Sequence, residues 1–201
     1  MPTATSDGPP GGTDPPDRVS SADEEEAAML RAQADPRHFE PIYRRYHRPV
    51  FAFCYRRLGD TDRAADATGQ IFTRALAGIH GFWSGSVAAW LFTIARNTVI
   101  DLTRTHHALV PLDDAAPLVA AAPAPDEKVI ADDQRAQLRA AMTHLSPDQR
   151  AIVELRWAGL TGPEIAQTLG LSLPATKSAQ LRAYTRLRAL LGPGFLCGDD
   201  R

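Results

Sequence analysis

Residues 90–101 read WLFTIARNTVID, and the way this stretch folds decides the rest. At helical spacing Trp90, Leu91, Ile94 and Thr98 fall on one face, as in any buried stripe. Phe92, Arg96, Asn97 and Asp101 lie on other faces. A helix that packs a core on one side and presents an aromatic, a guanidinium and an amide on another has more to do than fill space. The neighbouring residues extend the helix: Ser86 is placed as its N-cap, and the apolar period predicts a run from about Val87 to Arg104.

The residues before this helix are helical as well. RHFEPIYRRYHRPVFAFCYRRLG (37–59) carries a stripe of Phe39, Ile42, Tyr43, Tyr46, Val50, Phe53 and Cys54, ended by Gly59. Pro49 predicts a kink or a break in it. DTDRAADATGQIFTRALAGI (60–79) predicts a second helix with Ile71, Phe72, Ala75, Leu76 and Ile79 inward. HGFWSGS (80–86) reads as a loop bounded by glycines. ADEEEAAMLRAQA (22–34) reads as a short helix with acids in its first turn, where the dipole favours them.

After the helix the pattern stops. HHALVPLDDAAPLVAAAPAPDE (106–127) has four prolines and no sustained period. It reads as a flexible linker, and a structureless stretch of that length argues for two domains. Helical periods then resume. In KVIADDQRAQLRAAMTHL (128–145), Ile130, Leu138 and Met142 are apolar. Ser146 and Pro147 open the next helix. Thr161 with Glu164 makes a capping box, Gly170 ends that helix, and Ser172 caps LPATKSAQLRAYTRLRALL (173–191). No strand period occurs. The expected fold is all-α: two small helical domains joined by a flexible linker. The expected boundaries are an acidic disordered tail at 1–22, a first domain at 23–107, a linker at 108–128, a second domain at 129–191 and a tail at 192–201.

The net charge of −2 over 201 residues conceals an alternation. Residues 1–26 carry net −6, 27–107 net +5, 108–133 net −5 and 134–191 net +5. Two basic blocks between acidic segments predict two modules that share a polyanion. The last two helices have the form short helix, glycine-containing turn, longer helix, which is the helix-turn-helix arrangement. The longer one carries Lys177, Arg182, Arg186 and Arg188 and no acid. Its small, polar start, with Thr176, Lys177 and Ser178, suits entry into a major groove. A solvated basic face on an ordinary bundle would look the same from spacing alone. In the first module, Phe82, Trp83, Trp90 and Phe92 are either core residues or platforms on which unstacked bases rest, at about 1–3 kcal/mol per base.

Other functions find little support. Cys54 and Cys197 form no CxxC, and Cys54 reads as a buried thiol. His106–His107 lacks Cys or carboxylate partners for a metal, so none is expected. No phosphate loop, GxSxG or paired carboxylates point to an enzyme, and no cofactor is implied. The first residues show no basic n-region or apolar h-region, and no run reaches the length of a membrane span, so the expected location is the cytoplasm without membrane insertion.

WLFTIARNTVID, with FEPIYRRYHRPVFAFCYRRLGD before it, resembles the signature of extracytoplasmic-function (ECF) sigma factors of the sigma-70 family. LSPDQRAIVELRWAGLTGPEIAQTLGLS (145–172) resembles the C-terminal domain of that family. The likeness covers about 38–107 and 134–191, in the family's order. It implies a factor that binds core RNA polymerase and promoter DNA, with an anti-sigma factor as a further partner. By this resemblance Asp62, Asp66, Gln70 and Phe72 would dock on the polymerase. Trp83, Arg96, Asn97, Asp101 and Arg104 would handle the −10 element. Ser172, Thr176, Lys177, Ser178, Arg182 and Arg186 would read the −35 element. The chain has Ala65 and Gly69 where the family commonly has Glu and Gln, and ATKSAQLRA (175–183) departs from the family's Val, Arg and Leu. Two other readings stand beside it: a helix-turn-helix regulator independent of polymerase, and a sigma-like decoy that titrates an anti-sigma factor.

Overall fold

The chain turns wherever its caps and glycines require. In the computed structural model, residues 16–109 and 136–192 are described, with side chains from 22 to 105 and from 136 onward. Helix α1 spans Pro16–Ala34, so it begins within the segment expected to be disordered. A 3-10 turn follows at Pro36–Phe39, capped by Asp35, whose carboxylate accepts from Arg37 N at 3.0 Å. Helix α2 (Glu40–Leu58) runs through Pro49 without a break and stops at Gly59, whose φ of 71° suits glycine. Asp60 caps α3 (Thr61–Ala77), accepting from Arg63 N at 2.8 Å. Helix α4 spans Val87–Leu109, longer than expected, with Ser86 Oγ accepting from Ala89 N at 3.1 Å.

In the second half, residues 136–143 are helical (α5). Helix α6 (Pro147–Trp157) starts with a reciprocal Ser146–Gln149 capping box. Helix α7 (Gly162–Leu169) is held by Glu164, whose Oε2 accepts from Thr161 N at 2.7 Å and from Thr161 Oγ1 at 2.8 Å. Gly170, at φ 65°, turns the chain into α8 (Leu173–Leu191). Among the described residues there is no strand. The fold is all-α, in two helical regions. Residues 110–135, which hold most of the expected linker, and the tail beyond 192 lie outside the described residues.

The first core gathers Met29, Phe39, Ile42, Val50, Phe53, Cys54, Ile71, Phe72, Leu91 and Phe92. Burial pushes the Cys54 thiol up to about 11, as expected of a core cysteine. Two residues expected inward lie outward: Tyr43 and Leu76 are exposed. Phe92 corrects the reading of α4 in the opposite sense. It is fully buried and meets Phe53 edge-on at 5.7 Å.

The reason is a second packing surface. Val87, Ala88, Ala89, Leu91 and Phe92 are all buried, which no single-sided helix achieves. Helix α7 lies against α4 and covers it from the other side. Ser86 Oγ donates to Glu164 Oε1 at 2.7 Å. The Thr168 hydroxyl lies 3.3 Å from the Ala89 carbonyl, though its single proton is better placed on Glu164 O at 2.7 Å. Farther along the joint, Arg57 Nε meets Glu154 Oε2 at 2.5 Å, with Glu154 only 5% exposed. Burial raises the Glu154 carboxyl, and the Arg57 guanidinium opposes that rise. Ile152, Leu155, Leu160 and Ile165 are continuous with the first core. A smaller cluster of Ala141, Met142, Leu145, Val153, Ala183 and Leu187 belongs to the second half alone.

Candidate nucleic-acid interface

The loop between α3 and α4 is pinned on both sides of one residue. Phe82 is buried and packs edge-on against Trp90 at 5.8 Å. Ser86 is committed to capping α4. Between them Trp83 stands 85% exposed. An indole held open to solvent is costly for a core residue and well suited to stacking. Phe82 and Phe92 are therefore core residues, whereas Trp83 lies outside the core.

Beyond the part covered by α7, α4 turns polar. Asn97, Asp101 and Arg104 are exposed and Arg96 is half-buried. Asp101 is not free-standing: Arg74 Nη1 donates to Asp101 Oδ2 at 3.2 Å and to Thr98 Oγ1 at 3.0 Å. Arg74 was not among the residues singled out from sequence. Its position on the exposed side of α3 gave no sign of a partner on α4.

On α3, Asp62, Asp66 and Gln70 are exposed and follow one another at four-residue spacing, so they share a face. Phe72 is not on it. It is 4% exposed and lies against Tyr43 at 4.8 Å and Phe39 at 6.3 Å. A direct contact by Phe72 with another molecule is therefore corrected to a packing role beneath that face.

On α8, Lys177, Ser178, Arg182 and Arg186 are exposed, and no acid interrupts them. Ser172 is exposed and caps the helix, its hydroxyl accepting from Ala175 N. Thr176 is corrected: it is fully buried, and its hydroxyl donates to Ser172 O at 3.1 Å. Leu181 was missed. It is 68% exposed, four residues on from Lys177 and three from Ser178, so a helical wheel places it among them. An apolar side chain in that position matches the methyl group that thymine offers in the major groove. No metal-holding cluster and no membrane-crossing helix occur among the described residues.

Known proteins resemble both halves. Residues 42–108 match Sigma-70 region 2, and residues 135–187 match Sigma-70, region 4. The ECF RNA polymerase sigma factor BldN of Streptomyces coelicolor is 34% identical over 184 residues, spanning 87% of this chain and 70% of that protein. SigM of Bacillus subtilis, also an ECF RNA polymerase sigma factor, is 29% identical over 159 residues, 77% of this chain and 96% of that one. Among solved structures, the sigma factor RpoE of Bartonella quintana, in complex with the anti-sigma factor NepR, has a TM-score of 0.60 at 28% identity, covering 76% of this chain and 96% of that one. CnrH bound to the cytosolic domain of CnrY shares the fold, with a TM-score of 0.63 at 23% identity over 83% of this chain and 96% of that one. The chain belongs to the ECF sigma factors of the sigma-70 family: it is an RNA polymerase sigma factor, built for transcription initiation.

Proposed function

We propose that the first unit, over 23–107, captures non-template bases of the −10 element while the second, over 129–191, reads the −35 duplex. The observation that carries this is the pairing of two open faces with matching chemistry. Trp83 is a solvent-facing stacking platform in the loop that leads into α4, Arg96 and Asn97 lie farther along that helix, and α8 presents a cationic face without acids. A base stacked on Trp83 gains about 1–3 kcal/mol, which offsets an unstacking cost of similar size. Asn97 and Arg96 supply hydrogen bonds to a splayed base, and Arg104 meets phosphate. Asp101 orients Arg74 on the same side.

In the major groove, Lys177, Ser178 and Arg182 address base edges, Leu181 a thymine methyl, and Arg186 the backbone. Ser172 sets the start of that helix. Asp62, Asp66 and Gln70 form the contact with core polymerase. The factor performs no catalysis and works in the cytoplasm. An anti-sigma factor is its expected regulator, by analogy with the complexes of its relatives.

The packed arrangement of the two halves bears on this reading. Elements centred at −10 and −35 are about 25 base pairs apart, roughly 85 Å of duplex at 3.4 Å each. A folded chain of this length spans roughly 40 Å. The joint between α4 and α7 therefore parts when both elements are held.

Fluorescence titration of the purified chain against core RNA polymerase tests the reading, with Asp66→Arg as control. Tight binding that the control loses is the expected result. A folded chain that stays unbound at micromolar polymerase would overturn it in favour of a free regulator or a decoy.

A further inference from the structure

Helix α1 precedes both matched regions, and two of its polar side chains, Gln33 and Glu26, converge on a single loop. Gln33 Nε2 donates to Ile79 O at 3.0 Å and to Phe82 O at 2.5 Å. Glu26 Oε2 accepts from Gly85 N at 3.2 Å. These three bonds fall on either side of Trp83, two before it and one after. The helix that makes them is itself fixed. Met29 and Ala32 are fully buried in the first core, and Glu25 binds both Arg45 and Tyr46 of α2.

The chemistry at Gln33 leaves little freedom. Both partners are carbonyl oxygens, which only accept, so the amide must present its NH2 group, the one end with two donors. Gly85 adopts φ +95°, a conformation that side chains resist, and its N–H donates to Glu26. Without these ties the stretch from Trp83 to Gly85 would be anchored by the Ile79–Gly81 turn with buried Phe82 on one side and the Ser86 cap on the other, and the indole between them would sample more orientations.

We propose that Gln33, assisted by Glu26, is a positioning residue for base capture, fixing the loop that carries Trp83 before DNA arrives. The inference rests on the reading that Trp83 stacks on a −10 base. Ordering the loop in advance removes an entropic cost from the step in which the base leaves the duplex. Polymerase docking and −35 recognition use other faces and are not touched by it.

The test uses holoenzyme assembled from the full chain and core polymerase, on a promoter mapped from the chain's own transcripts, with 2-aminopurine in the −10 element. Gln33→Glu keeps size and shape but sets a carboxylate against two carbonyls. It is expected to lower open-complex formation about tenfold while affinities for polymerase and for −35 duplex stay within about twofold. Amide exchange in the free chain should quicken at residues 80–85. Glu26→Ala, at a surface contact that leaves the core intact, should lower open-complex formation about threefold, and Glu26→Gln, which retains an acceptor, should restore it. Two results overturn the proposal while leaving base capture intact: an unchanged open complex in Gln33→Glu and Glu26→Ala while Trp83→Ala abolishes melting, or an equal loss in open-complex formation, polymerase affinity and −35 affinity. If Trp83→Ala itself has no effect, base capture falls, and the positioning role falls with it.

Discussion

The two halves of the molecule solve the same packing problem differently. The first surrounds its core with four helices and fills it with aromatics, of which Phe53 and Phe92 are fully buried. The second divides its apolar residues. One set closes on itself between α5, α6 and α8 and is built largely of alanines, Met142 and aliphatics. The other, with Leu160 and Ile165, is continuous with the core of the first half. A helix-turn-helix is too small to bury every apolar side chain alone. In this chain the neighbouring domain supplies part of what is missing, and the same surface that stabilises the second half holds the two halves together.

The largest expected effect separates the cores. Phe92→Ala removes the ring that meets Phe53 and should cost about 3–5 kcal/mol, read as a fall in the midpoint of chemical unfolding. A loss of under about 1 kcal/mol would mean that α4 is held mainly by α7. Next comes the bridge between the halves. Glu154→Ala leaves the Arg57 guanidinium unpaired at a mostly buried site and should cost about 3 kcal/mol. The double variant Arg57→Met with Glu154→Leu should recover most of that loss. If the double variant is no more stable than the single, the pair contributes through something other than charge. The smallest effect concerns the first half alone. Gly69 is exposed within α3, and a Cβ there meets nothing within 4 Å. Gly69→Ala should therefore stabilise by about 1 kcal/mol. Equal stability, with altered polymerase affinity, would show that the glycine serves the docking face.

Most helices were legible because their boundaries are local. Ser86, Ser146 and Ser172 cap where the chemistry of their side chains predicts, and Gly59 and Gly170 stop where it predicts. Contacts between distant segments were not. Nothing in WLFTIARNTVID announces that a helix some 75 residues later covers its second face. Phe92 therefore read as outward when it is core. Thr176 and Phe72 carried family roles by position in a motif, but position in a motif does not report depth, and both lie inside. Leu181 escaped for the converse reason: a search for polar groups on a recognition helix passes over the one apolar side chain exposed among them. Gln33 was invisible because its partners are backbone carbonyls, which every residue has.

Glu164 uses its two carboxylate oxygens for different ends. Oε2 serves the start of its own helix at Thr161, and Oε1 accepts from Ser86 across the joint. Ser86 in turn keeps its bond to Ala89 N, whether or not Glu164 is near. Parting the halves therefore orphans no helix terminus. Apart from the Arg57–Glu154 pair and the Ser86–Glu164 hydrogen bond, what separation exposes is largely apolar surface, and the hydration of such surface carries a positive heat capacity. Cooling weakens that contribution, so the joint should open more readily in the cold, and temperature itself would set how much of the factor stands ready to span a promoter.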